Sequence, residues 1–105
     1  MWDIITTECF DGWFLAQSDA LRESVYEAMG VLEKFGPALG RPYVDTLNDS
    51  DFANMKELRI QHHGNPVRAF FAFDPTRRAI VLSAGDKTET NEKRFYKDMI
   101  RLADS

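Results

Sequence analysis

Seven cations and one phenol carry most of the chemical potential of this 105-residue chain: Lys56, Arg59, Arg68, Lys87, Lys93, Arg94 and Lys97, with Tyr96 among them. A guanidinium presents a planar fork of donors that matches a phosphate, and an ammonium adds a compact charge. Arg68 is the informative member. It interrupts a strand otherwise composed of Val67, Ala69, Phe70, Phe71, Ala72 and Phe73, where a solvated position would ordinarily hold a less costly polar residue. On the open face of a sheet, its fork would be available to a phosphate. Lys87 and Tyr96 fall where the last strand gives way to a closing helix, so both can approach Arg68 from one edge and complete a phosphate clamp. The plainer alternative is that these cations solvate the outer faces of strands and a helix.

Other chemistries are poorly supplied. His62 and His63 are adjacent, so on a strand their rings point to opposite faces and cannot share one metal ion. No second Cys or His cluster supports a metal site, and no cofactor is expected. The pair reads as a polar hairpin end, with proton transfer as the sharper alternative. Ser83-Ala84-Gly85 lacks the nucleophile-elbow pattern, and the segment from Gly36 to Arg41 matches neither phosphate-binding glycine loop. Cys9, among bulky apolar neighbours, reads as a packed core thiol.

The net charge of -4 argues against a nucleic-acid partner until the chain is divided. Residues 1–55 carry three basic and ten acidic groups, whereas residues 56–105 carry ten basic and seven acidic. Screening limits each charge to a reach of about 8–10 Å, so a local basic site is compatible with an acidic whole. The length suits one domain spanning residues 1–105. Apolar runs fall far short of the roughly 20 residues of a membrane span. The N-terminus lacks a secretory pattern, and a lone cysteine cannot form an internal disulfide. These features lead us to expect no membrane partner and a reducing cytoplasm.

The elements that must position the cations follow from periodicity. Residues 2–6 read as a first strand, and residues 8–17 as a short helix with Phe10, Trp13, Phe14 and Ala16 at helical spacing. Ser18 can cap a second helix whose stripe of Leu21, Val25, Ala28 and Leu32 faces the core, and Gly36-Pro37 ends it. Residues 36–52 read as a long irregular connection, of the kind that borders a site or a partner. Strands at 56–62, 67–74 and 78–83 are separated by turn chemistry and form an antiparallel meander. Phe95, Met99, Ile100 and Leu102 mark a closing helix from Glu92. The order β-α-α-β-β-β-α describes an α+β sandwich with helices covering one face of a mostly antiparallel sheet.

Several blocks stand out together: Gly36-Pro37-Ala38-Leu39-Gly40-Arg41-Pro42 with Val44-Asp45, and Asn54-Met55-Lys56-Glu57-Leu58-Arg59. Further along come Phe71-Ala72-Phe73-Asp74-Pro75, Gly85-Asp86-Lys87-Thr88, Phe95-Tyr96 and Ala103-Asp104. In this order they resemble the phage-derived HigB-like branch of the RelE/ParE type II toxin superfamily. The resemblance implies the small RelE/ParE-like sandwich and a toxin that enters the ribosomal A site and cuts mRNA, with the ribose 2′-hydroxyl attacking its own 3′ phosphate. Such a step needs the 2′-oxygen activated, the phosphorane charge stabilised and the leaving 5′-oxygen protonated, and requires no metal. By resemblance Arg68 binds the scissile phosphate, Lys87 supplies a second cation and Tyr96 orients or deprotonates the 2′-hydroxyl. Lys56 and Arg59 hold the RNA backbone, joined by Lys93 and Arg94. The implied partners are ribosome, mRNA and a helix-turn-helix, HigA-like antitoxin, with DNA reached only through that antitoxin. Two alternatives stay open: a non-enzymatic toxin of the same fold that binds a target such as DNA gyrase, and a prophage remnant acting as an interaction module.

Overall fold

A computed structural model of the chain describes residues 1–47 and 55–86. The element order is β1 (Asp3–Thr6), α1 (Glu8–Leu15), α2 (Asp19–Phe35), a 3₁₀ turn (Gly36–Ala38), β2 (Val44–Thr46), β3 (Lys56–His62), β4 (Asn65–Asp74) and β5 (Arg78–Asp86). The five strands form one sheet in the order β1-β5-β4-β3-β2, antiparallel except for the β1–β5 pair. This is the α+β, mostly antiparallel architecture read from the sequence. The closing helix expected from Glu92 lies outside the described residues.

Helix α2 forms where its signals lie. The Ser18 hydroxyl accepts the backbone N–H of Leu21, capping the first turn, and Leu21, Val25 and Leu32 are buried on one stripe. That stripe packs on Leu58, Ile60, Val67, Ala69 and Phe71 of the sheet. On α1, Thr7 caps the Phe10 N–H, and Phe10 is buried with Trp13 and Phe14 packed beside it. Cys9, one position off that stripe, is exposed, which corrects its reading as a core thiol.

Gly36 ends α2 with φ of 55° beneath the Trp2 indole. An added Cβ there would meet Trp2 Nε1 at 2.3 Å. Trp2 also packs edge-on against Phe73 at 5.0 Å and under the Arg77 guanidinium at 5.2 Å, so one aromatic ties the helix end to the sheet. Gly36→Ala combines backbone strain with a clash and is expected to destabilise the fold by about 1–3 kcal/mol in chemical denaturation.

Three connections differ from the sequence reading. The 36–52 connection includes β2, too short at three residues to be seen by alternation, and held by pairing to β3. The β3–β4 turn is His63-Gly64 alone, with φ of 49° and 81°, so Asn65 and Pro66 belong to β4. In such a two-residue hairpin, Pro66 opposite Gln61 falls at a non-hydrogen-bonded pair and its missing N–H costs no ladder bond. Strand β5 continues to Asp86. It also carries a bulge: Phe70 pairs with Ser83 but Phe71 with Val81, leaving Leu82 extra.

The β4–β5 turn is closed by Asp74, which accepts from Thr76 N at 2.8 Å and from Arg78 Nε at 2.8 Å. Arg78, then Thr76, hold the Asp74 carboxyl at about 2, below its ordinary 3.8. A lowered folded-state value favours the carboxylate, so this contribution to stability is present above about pH 4 and is lost as pH falls toward 2. Asp74→Asn is expected to flatten the acid side of the stability profile, measured by denaturation at neutral and acidic pH.

Candidate phosphate-binding site

Residues opposite one another in an antiparallel ladder share a face. The register puts Leu58, Ala69 and Ala84 in one row toward the helices. Arg59, Arg68 and Gly85 form the neighbouring row on the second face, followed by Glu57, Phe70 and Ser83. Arg68 is therefore central in the sheet, with Arg59 on one side and a residue lacking a side chain on the other.

This second face is not open at its middle. Arg68 is only 8% exposed, and Glu57, Phe70 and Ser83 are buried with it. The expected solvated arginine is thus a buried one, in keeping with a strand that is apolar on both faces. Arg68 donates from Nη1 to the Val67 carbonyl at 2.9 Å, while its buried Nε finds no acceptor among the described residues. A buried donor left without an acceptor costs about 1–3 kcal/mol, and an incoming oxyanion would relieve it.

Arg59 is held quite differently. Its Nη2 donates to Asp45 Oδ2 at 3.1 Å and its Nε to Glu57 Oε1 at 3.1 Å. Asp45 also accepts from Arg41 Nη2 at 3.0 Å. Arg41, then the Thr46 backbone N–H, hold the Asp45 carboxyl below its usual range, and Arg59 adds to the effect. Two carboxylates therefore offset the repulsion expected between Arg59 and Arg68 directly opposite it. The sequence reading did not single out Asp45 or Glu57. The spacing of Glu57 two residues before Arg59 on one strand was the available signal.

Lys56 lies three residues from Arg59, hence on the other face, where its Nζ donates to Thr46 Oγ1 at 3.1 Å. The structure therefore brings Arg59 and Arg68 together and leaves Lys56 apart. Lys87, Lys93, Arg94, Lys97 and Tyr96 lie outside the described residues. The histidine pair departs from its reading: the rings meet edge to face at 4.2 Å instead of on opposite faces. His63 has left the strand for the left-handed turn, and His62 Nδ1 is 2.9 Å from the Ser24 hydroxyl of α2. Among the described residues no group of three or more potential ligands could hold a metal ion.

The phage-derived Gp49-like protein family matches residues 12–105. A Mycobacterium tuberculosis protein bearing the toxin name HigB3 is 51% identical over 92 residues, covering 88% of this chain and 78% of that one. HigB2 of the same organism is 44% identical over 98 residues, and the chain spans 48% of its length. Among solved structures, a mutant E. coli RelE toxin in the free state superposes with a TM-score of 0.68 at 10% identity, over 95% of each chain. The E. coli RelBE toxin-antitoxin complex gives 0.63 at 9% identity, over 81% of this chain and 95% of that one. The chain belongs to the phage-derived Gp49-like family of HigB-like toxins, and its fold is the one seen in RelE.

Proposed function

We propose that this chain is the toxin of a type II toxin-antitoxin pair and an mRNA endonuclease acting on the ribosome in the cytoplasm. The observation that carries the catalytic reading is Arg68: a buried guanidinium at the centre of the sheet, with Nε lacking an acceptor among the described residues. A phosphate bound there would satisfy that donor and place its developing charge against a fixed cation in a site shielded from water. The ribose 2′-oxygen forms the new bond to phosphorus while the bond to the 5′-oxygen breaks. The products are a 2′,3′-cyclic phosphate and a 5′-hydroxyl. Tyr96 is proposed to take the 2′ proton and Lys87 to stabilise the phosphorane, while a proton from solvent reaches the 5′-oxygen as it departs. Arg59, held by Asp45 and Glu57, steadies the RNA backbone beside it, with Lys56, Lys93 and Arg94 assigned to further backbone contacts. The antitoxin is proposed to be a helix-turn-helix, HigA-like protein.

Inducible expression followed by mapping of mRNA 5′ ends tests this reading. New ends within translated messages, absent with Tyr96→Phe, are the expected result. Growth arrest with intact messages would instead favour the binding of another target, such as gyrase. No arrest at all would favour an interaction module.

A further inference from the structure

We propose that the groove between α2 and the outer edge of β3 docks a protein segment carrying an apolar side chain next to a lysine or arginine. That the segment belongs to the antitoxin rests on the toxin reading above. The groove has a volume of about 240 Å³ and is walled by Ala28 and Val31 of α2, Leu39, Tyr43 and Ile60, with Glu27 on its lip. That is below the roughly 300–1,000 Å³ of a small-molecule site, and it suits one or two side chains.

Its origin lies in the shortness of β2, which pairs with β3 only as far as Leu58. The Arg59 N–H still reaches the Tyr43 carbonyl at 2.7 Å, but Val44 N turns back to Gly40 O, so the chain leaves the edge before Ile60 and Gln61. On α2, Ser24, Ala28, Val31 and Phe35 form a stripe beside the buried one. Val31, Phe35 and Tyr43 are 38%, 50% and 56% exposed, a local concentration of apolar surface of the kind that marks an interaction site.

Charge identifies the occupant. Glu23 and Glu27 are an i,i+4 like-charge pair, which disfavours a helix unless a cation joins it. Among the described residues the ion pair on this helix is Arg22 with Asp19, and of the two carboxylates it is Glu27 that lines the groove. The positive charge on the opposite lip, Arg59, is already offset by Asp45 and Glu57. The α2 lip, carrying Glu27, is thus acidic and favours a basic side chain on the docked segment.

The test is the affinity of the full chain for the antitoxin encoded by the adjoining reading frame, measured by titration calorimetry. Glu27→Arg reverses the lip charge and Ala28→Trp fills the groove. Asp11→Arg makes the same charge change on α1. We expect losses of about tenfold or more for the first two and less than about twofold for the third. Glu27 is exposed, so its variant keeps the test valid should Ala28→Trp fail to fold. Unchanged affinity in Glu27→Arg, or an equal loss in Asp11→Arg, would overturn the groove assignment and leave the toxin reading intact. Failure of the unaltered chain to bind its antitoxin would overturn both.

Discussion

Cells expressing the Arg68→Ala chain are expected to grow and translate at normal rates, with mRNA cleavage reduced by about 10²–10³ relative to the unaltered chain. That range is what removal of one fixed donor to a developing oxyanion costs in other enzymes. Arg68→Lys keeps the charge but loses the planar fork, so its activity should fall between the two. A buried residue invites the objection that the variant simply unfolds. The geometry answers it: a guanidinium with an unsatisfied Nε among the described residues contributes little to stability. Arg68→Met, which keeps most of the volume without the charge, should therefore melt at or above the temperature of the unaltered protein while losing activity. Undiminished cleavage by a folded Arg68→Ala chain would remove this residue from the site.

The largest expected effect on stability is at Phe71. Its ring is fully buried, packs edge-on against Phe73 at 5.2 Å and lies between the Lys56 and Val81 positions of the flanking strands. Phe71→Ala should cost about 3–5 kcal/mol, the lost transfer energy plus that of an incompletely collapsed cavity. Phe71→Leu should cost far less, near or under about 1.5 kcal/mol. Urea denaturation of the three proteins separates the cases, and a small loss for Phe71→Ala would mean that the helices close over the gap.

Much of this was legible in the residues. The Leu21-Val25-Leu32 stripe and the Ser18 cap determine α2 because period and end signal agree, and turn residues separate β4 from β5 where expected and β3 from β4 with a shorter turn than expected. Strand β2 was not legible, because three residues held by a neighbour's ladder leave no period to detect. The burial of Arg68 was readable in principle: apolar residues at both odd and even positions of β4 mark a strand covered on both sides. The separation of Lys56 from Arg59 was likewise implicit in a three-residue spacing on a strand. The meeting of the His62 and His63 rings was hidden, since it follows from a positive φ at His63 that the residue type does not announce. Of the two carboxylates beside Arg59, Asp45 was hidden for another reason. Asp45 reaches it from a different strand, and only the register brings them side by side.

The extra residue at Leu82 divides β5 into two halves of opposite phase. Before it, odd-numbered Ala79 and Val81 serve the helix layer; after it, that duty passes to even-numbered Ala84, while Ser83 and Gly85 turn toward Arg68. Were the strand regular, a side chain serving the core would have to stand beside the arginine, or the arginine's glycine neighbour would be lost to the core. A one-residue stutter thus lets a single short strand obey two unrelated sets of demands.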